Sequence, residues 1–196
     1  KLDKEVLEKA RKKDHVTPND FYPYPSEDEN EYPIGITPLM APRRLQKETG
    51  MKNLFFKLDS QLISGSFKDR ASYEVALQAK ALGEKKIALA STGNAGAAMS
   101  AVGAAMDLDI ILFVPSTAPI NKLMQSVLYG AKVIPVKGTY DDAFKLSIEY
   151  TKLHGGINRN TAYNPMTIEG KKSIAIELFE QMGRKAPDAV YVPVGD

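Results

Sequence analysis

The chain has 196 residues, 43% of them hydrophobic, so it is long enough and apolar enough to bury a core. Its net charge is only +2 and the basic residues are dispersed, which argues against a nucleic-acid partner. No cysteine and only two histidines are present, so we expect neither disulfides nor a metal site. No apolar run approaches the ~20 residues that cross a bilayer, so we expect no membrane partner and a cytoplasmic protein.

The first fifty residues predict a helix followed by an extended arm. Leu2 to Lys13 has the apolar spacing of a short helix, and its basic run Arg11–Lys13 is read as a solvated face. From Asp14 to Pro38 prolines and acidic residues dominate, which favours an extended segment. A short helix is predicted from near Pro42 to Gly50.

After residue 50 the pattern alternates between strand and helix. The predicted strands are Asn53–Leu58, Lys86–Ala90, Asp109–Val114, Lys132–Val136 and Ala189–Val194. The predicted helices are Ser66–Leu82, Asn94–Met106, Pro119–Tyr129, Thr139–Lys152 and Thr167–Met182. Helical connections of this length imply parallel strands with right-handed crossovers. The unalternating run Ile110–Val114 predicts helices on both faces, and therefore an α/β fold with parallel sheets.

Both ends of the chain lead us to expect part of a longer protein. The sequence begins with Lys1 rather than methionine and ends with Tyr191–Asp196, where an apolar strand enters a glycine turn. A terminal core strand normally runs on into a loop or helix that secures it.

Two segments carry the functional signal. In Gly65–Arg70 a lysine stands where a loop enters a helix, and such a lysine can bind an aldehyde cofactor covalently. In Ser91–Gly96 hydroxyls and glycines follow a strand and precede a helix N-terminus, where polar ligands bind. The second loop could also hold a nucleotide phosphate, but neither common nucleotide-binding glycine pattern occurs.

Lys68 has a simpler interpretation as a surface lysine paired with Asp69 or Glu74. Against this, a lysine in the first helical turn opposes the helix dipole, which favours acids there. Thr92 likewise has two interpretations, as a contact for a substrate carboxylate and as a helix N-cap.

Three motifs resemble those of one enzyme family. Ser66–Arg70 resembles the cofactor-lysine motif of threonine synthases, within the fold type II (tryptophan synthase β-like) family of pyridoxal-phosphate-dependent enzymes. Ser91–Asn94 resembles that family's asparagine loop. Asn164–Gly170 resembles its Asn-Pro-x-Arg-x-Glu-Gly segment, and the similarity extends from about Thr37 to the C-terminus.

The resemblance implies roles for particular residues. Lys68 would bind pyridoxal 5'-phosphate and then move protons at the α and β carbons of an amino-acid substrate. Asn94 would hydrogen-bond the cofactor's 3′ oxygen, Phe67 would pack near its ring, and Gly195 would open its phosphate-binding loop. The expected substrate-binding residues are Ser91, Thr92, Gly93, Thr161 and Thr167.

The residue after the lysine favours one reaction within the family. Threonine synthases typically have Asp-Arg there, as in Asp69-Arg70, whereas serine and threonine dehydratases usually have an aliphatic residue before the arginine. The implied reaction converts O-phospho-L-homoserine and water to L-threonine and phosphate. The alternatives are another lyase of this kind, such as a threonine or serine dehydratase, and a non-catalytic domain that binds a phosphorylated metabolite.

The sequence departs from the family pattern where a phosphate clamp is expected. Ala95 and Ala162 stand at positions that often carry threonine and serine, and Thr167 replaces the arginine of the Asn-Pro-x-Arg segment. Either Arg159, Thr161 and Thr167 compensate, or the substrate is not O-phosphohomoserine.

The resemblance also implies a division of the chain. Residues 1–50 would form the N-terminal helix and arm, residues 51–85 and 164–196 part of a large cofactor domain, and residues 86–163 a small mobile α/β domain. Family members are often dimers, so a homodimer is implied as well.

Overall fold

The computed structural model describes residues 4–27 and 34–193. The helices are α1 Lys4–Arg11, α2 Arg43–Thr49, α3 Lys68–Ala81, α4 Asn94–Ala105, α5 Ile120–Leu128, α6 Tyr140–His154, α7 Met166–Lys171 and α8 Ser173–Gln181. The strands are β1 Leu39–Met40, β2 Phe56–Lys57, β3 Lys86–Ala90, β4 Asp109–Pro115, β5 Lys132–Val136 and β6 Ile157–Asn158. Two 3-10 helices span Pro18–Phe21 and Asp59–Gln61. No helix of the described residues is long and apolar enough to span a membrane.

The centre of the molecule is a parallel four-stranded sheet with the order β5-β4-β3-β6. Successive residues of its strands point to opposite faces. Ile87 and Leu112 therefore join the core formed with α3 and α4, whereas Ala88 and Phe113 pack against α6. Because both faces are covered, the inner strands β3 and β4 are apolar after their first residues, Lys86 and Asp109. The predicted α/β fold with a parallel sheet is confirmed.

Two differences from the predicted strands have local causes. β6 was missed because it has only two residues, too few for any hydrophobic pattern. It pairs parallel with β3, with Ile157 opposite Ile87 and Asn158 opposite Ala88. The strand predicted at Asn53–Leu58 is reduced to β2, which pairs antiparallel with β1 rather than parallel.

The predicted strand Ala189–Val194 is not formed in its described part, residues 189–193. No strand of the described residues pairs with this segment, and the side chain of Tyr191 is 89% exposed. An apolar run forms a buried strand only where a neighbouring edge accepts its hydrogen bonds. Val194 itself lies outside the described residues.

The helix predicted at Thr167–Met182 is divided into α7 and α8 at Lys172. Gly170 lies against α3 so closely that a Cβ there would come within 2.2 Å of the carbonyl oxygen of Arg70. The amide of Lys172 bonds to the carbonyl of Glu169, three residues back, which tightens the turn. The close packing of α7 against α3 thus sets the break.

The N-terminal helices agree with their predicted positions within the described residues. α1 lies inside the predicted Leu2–Lys13 helix. α2 ends at Gly50, whose φ of +73° is the left-handed conformation expected after a helix.

Candidate functional site

Lys68 is the first residue of α3, which begins two residues after the predicted start at Ser66. Gly65 turns the chain with a φ of +74°, and the amide of Lys68 donates to Ser66 Oγ at 3.1 Å. Asp69 is fully buried and accepts hydrogen bonds from the amide of Ser64, at 2.8 Å, and from its hydroxyl. Asp69 therefore holds the loop that presents Lys68.

The Lys68 side chain has no carboxylate partner among the described residues. Its Nζ lies 5.8 Å from the centroid of the Phe67 ring, and the side chain is half-buried. The interpretation as an ion-paired surface lysine fails, because Asp69 bonds Ser64 and the buried Glu74 accepts from the amide of Tyr24 at 3.1 Å. The amine is left available for chemistry.

The base of α3 is fixed by Arg70, a fully buried arginine that sequence reasoning did not assign. Its guanidinium donates to Asp59 at 2.8 and 2.9 Å, to Glu177, and to the carbonyl of Gly35 at 3.0 Å. Lys57 also pairs with Glu177, which balances two cations against two carboxylates. Burial opposes the charge of Arg70, but the hydrogen bonds that Arg70 donates to both carboxylates outweigh it and raise the pKa of Arg70.

The loop Ser91–Gly96 connects β3 to α4 and is organised by its first residue. The hydroxyl of Ser91 accepts from the amides of Gly93, at 3.2 Å, and Gly96, at 3.1 Å. Gly93 is the N-cap of α4, so the N-cap interpretation of Thr92 is wrong. A Cβ at Gly96 would lie 3.1 Å from the carbonyl oxygen of Ser91, which explains the glycine there.

Within this loop the predicted site residues are exposed to different degrees. Asn94, the first residue of α4, and Gly93 are exposed, Thr92 is half-buried and Ser91 is 8% exposed. The side chains of Thr92 and Asn94 have no hydrogen-bond partner among the described residues. They remain available for a ligand, whereas the Ser91 hydroxyl is occupied inside the loop.

Two side chains and one backbone amide contact β3 near its carboxyl end, where parallel sheets place ligand sites. The amide of Ala90 donates to Asn160 Oδ1 at 2.8 Å, and the hydroxyl of Tyr140 donates to the carbonyl of Ala90 at 3.2 Å. The amide of Arg159 donates to the carbonyl of Ala88 at 2.9 Å. The segment 159–161 therefore lies beside the loop that begins at Ser91.

Arg159 connects this strand end to the helix that carries Lys68. Its guanidinium donates to Ser72 Oγ twice, at 3.3 Å each, and to Thr161 Oγ1 at 3.0 Å. Ser72 is four residues after Lys68, one helical turn along the same face of α3. The side chain of Arg159 therefore lies close to the turn that presents the amine.

Lys171, the last residue of α7, brings a third cation to the same region, because α7 packs against α3. Its pKa is lowered, first by burial and then by the positive charges of Lys68 and Arg159. Burial likewise lowers the pKa of Arg159 to about 10, while Tyr140 and Asp69 act in the opposite direction. Sequence reasoning missed Lys171 and Ser72, and only the i, i+4 spacing of Ser72 from Lys68 was visible as a signal.

The remaining predicted site residues are placed differently. Thr161 is exposed and bonds Arg159. Thr167 is 0% exposed, and its hydroxyl donates to the carbonyl of Asn164 at 2.8 Å, so its contact with substrate stays a prediction. Gly195 lies outside the described residues. The described residues contain no group of three or more side chains that could hold a metal ion.

Residues 31–196 match the family of pyridoxal-phosphate dependent enzymes, and the chain belongs to that family. The family indicates pyridoxal 5'-phosphate as the cofactor. The side chains fit this group, because a lysine amine and an asparagine amide with no hydrogen-bond partner in the described part of the chain stand at the N-termini of α3 and α4, which pack together.

The curated relatives compared with this chain are threonine synthases. The chain is 39% identical over 163 residues to threonine synthase of Methanocaldococcus jannaschii, covering 83% of this chain and 40% of that protein. It is 37% identical to threonine synthase of Halalkalibacterium halodurans, covering 83% and 45%. The chain thus spans less than half the length of these relatives.

Solved structures support the fold alone. Threonine deaminase isoform 2 from Solanum lycopersicum superposes with a TM-score of 0.66 at 22% identity, covering 74% of this chain and 40% of that one. Maize serine racemase gives a TM-score of 0.67 at 23% identity, covering 76% and 45%. The fold is that of fold type II pyridoxal-phosphate enzymes.

Proposed function

We propose that this chain carries the reactive lysine of a threonine synthase, which converts O-phospho-L-homoserine and water to L-threonine and phosphate. The observation that carries the proposal is the group of curated threonine synthases, 33% to 39% identical over 83% of the chain. The buried Asp69, which holds the Lys68 loop, supports the same choice.

In the proposed reaction the bond from Cγ to the phosphate oxygen breaks, a hydroxyl from water is added at Cβ, and protons move at the substrate carbons. Bound pyridoxal phosphate supplies an electron sink for the carbon centres. Lys68 Nζ holds the cofactor and carries protons at the α and β carbons. No carboxylate among the described residues pairs with this amine, so it is available to bind the cofactor.

The Ser91–Gly96 loop has the complementary role of orienting the ligands. The exposed amide of Asn94 would bond the cofactor ring oxygen, and Phe67, next to Lys68, would pack near the ring. Thr92 and the amide groups at the start of α4 would bind the substrate carboxylate. Ser91 would act indirectly, because its hydroxyl holds the amides of Gly93 and Gly96.

We further propose that residues 86–163 form a small mobile domain against residues 51–85 and 164–196. The parallel sheet lies within the first of these ranges, whereas α3 and α7 pack together within the other two. Cytoplasmic location and assembly as a homodimer belong to the same proposal.

The test uses the full-length protein that carries this sequence, purified with pyridoxal phosphate. We expect phosphate release from O-phospho-L-homoserine, a visible absorbance band of the lysine-bound cofactor, and a borohydride-trapped adduct at Lys68. Lys68→Ala should abolish all three, whereas Lys47→Ala, which changes an exposed lysine of α2, should abolish none.

Other outcomes identify the alternatives. Ammonia release from threonine or serine without phosphate release would replace the synthase by a dehydratase. Absence of both the absorbance band and the adduct would contradict any lysine-dependent enzyme and favour a binding domain.

A further inference from the structure

Arg159 is a fully buried cation whose charge is not balanced by the described part of the chain. It is 1% exposed, and no carboxylate of the described residues lies within 4 Å of its guanidinium. A buried charge without a counter-ion is costly, so such groups are normally paired or bind a ligand. The position requires an explanation beyond packing.

The hydrogen bonds of Arg159 leave donors unused. A guanidinium has five N–H groups in a planar fork, but the three bonds that Arg159 makes go to two hydroxyls, those of Ser72 and Thr161. Hydroxyls satisfy donors without neutralising charge. Thr161, which accepts from the guanidinium, is exposed, so this contact lies beside the protein surface.

The surroundings of Arg159 are positive. The charged and titratable groups that act on it or on its neighbour Lys171 are Lys68, Asp69 and Tyr140. Asp69 already accepts two bonds from Ser64, and the Tyr140 hydroxyl donates to a carbonyl. Once Lys68 is committed to the cofactor, Arg159 and Lys171 carry two positive charges, and Asp69, which forms no ion pair with Arg159, is the one carboxylate of the described residues that acts on them.

We propose that Arg159, with Thr161 and Lys171, binds the phosphate group of the substrate, an inference that rests on the proposed function. A phosphate monoester carries a charge of about −1.5 to −2 at neutral pH. This charge balances the two cations Arg159 and Lys171 more closely than the single negative charge of a carboxylate would. The fork of a guanidinium donates to two phosphate oxygens at once. The same residues receive the phosphate when its bond to Cγ breaks.

The experiment compares Arg159→Met and Arg159→Lys with Lys145→Met, which removes an exposed positive charge from α6. Inorganic phosphate is the probe, and its binding to the full-length protein is measured by calorimetry. We expect Arg159→Met to weaken phosphate binding and to raise KM for O-phospho-L-homoserine by about tenfold or more. Arg159→Lys should show smaller changes in phosphate binding and in KM, and Lys145→Met should change neither.

Two further titrations distinguish the sources of the anion. In Arg159→Met, the affinity for pyridoxal phosphate should stay within about twofold of that of the unmodified protein. The affinity for L-threonine, which has a carboxylate but no phosphate, is measured by spectral titration and should also stay within about twofold. Loss of cofactor affinity would assign the residue to the cofactor phosphate, and loss of L-threonine binding would assign it to the carboxylate. Either result would overturn the inference.

Failure of the inference and failure of the proposed function are separable. If phosphate binding depends on Arg159 but O-phospho-L-homoserine is not consumed, the proposed function fails and the phosphate site stands for another phosphorylated substrate. If the substrate is consumed and Arg159→Met changes neither KM nor phosphate binding, only the inference fails.

Discussion

Two arginines of this chain are fully buried, and they differ in how their charge is balanced. Arg70 is enclosed by the carboxylates of Asp59 and Glu177, while the guanidinium of Arg159 bonds only hydroxyls among the described residues. The first charge is balanced within the protein and fixes α3 in place. The second is balanced only when an anion arrives from outside. The contrast teaches that burial alone does not mark a functional residue, whereas burial without a counter-ion does.

The largest effect is expected from Arg70→Met. The substitution leaves the buried carboxylate of Glu177 and the half-buried carboxylate of Asp59 with Lys57 as the remaining cation. Removing one partner of a buried ion pair costs about 3–5 kcal/mol. Urea denaturation measures the loss. Arg44→Met is the matched control, because Arg44 is exposed and pairs with Glu48 within one helix, and it should leave the midpoint nearly unchanged. If Arg70→Met and Arg44→Met had similar urea midpoints, Arg70 would not stabilise the fold through its buried ion pairs, and the contrast with Arg159 would be contradicted.

A buried acid extends the comparison. Glu74 is 0% exposed, accepts from the amide of Tyr24, and has a second carboxyl oxygen with no partner in the described part of the chain. Burial raises the pKa of Glu74 to about 8, although the bond from Tyr24 and the charge of Lys172 act against this and Glu169 acts with it. The folded protein therefore binds this proton more tightly than the unfolded chain.

The sign of the pH dependence follows from this difference. The contribution of Glu74 to stability is complete below its ordinary pKa of 4.5 and is lost as the pH rises through about 8. We expect a fall of about 2–4 kcal/mol over that range, at no more than about 1.4 kcal/mol per pH unit. Over this pH range, the urea midpoint of Glu74→Gln should depend less on pH than that of the unmodified protein. The midpoint of Glu84→Gln should keep the full pH dependence. A slope that persists in Glu74→Gln would assign it to another group.

The sequence predicted the features that depend on local pattern. The strands Lys86–Ala90 and Lys132–Val136 have the predicted bounds in the structure. A short apolar run between two helices can be recognised as a strand from the local sequence alone. The start of α3 was predicted to within two residues, because Gly65 and the residues after it specify a turn into a helix.

The remaining features depend on contacts between distant parts of the chain. The break before Ser173 comes from the approach of Gly170 to α3, and the occupation of the Thr167 hydroxyl comes from the turn at Asn164. The burial of Arg159 beside Ser72 joins residues 87 positions apart. No local pattern distinguishes such an arginine from one on the surface.

Arg159→Met should behave in the opposite way to Arg70→Met. In phosphate-free buffer the substitution removes an uncompensated buried charge and leaves an apolar side chain of similar length. We expect the stability to be unchanged or to rise by up to about 2 kcal/mol. Adding inorganic phosphate should raise the urea midpoint of the unmodified protein and not that of the variant. A loss as large as that of Arg70→Met would make Arg159 a structural residue.

The smallest effect concerns the hydroxyl that Arg159 bonds twice. Ser72→Ala removes the acceptor for two guanidinium N–H groups and should cost about 1 kcal/mol, partly offset by the better helix propensity of alanine. Ser100→Ala is the control, since Ser100 is equally buried in a helix but its hydroxyl donates to the uncharged carbonyl of Gly96. Phosphate should recover more stability in Ser72→Ala than in Ser100→Ala, because the anion takes over the donors that the serine released. Equal recovery in the two variants would mean that Ser72 does not position the guanidinium for the anion.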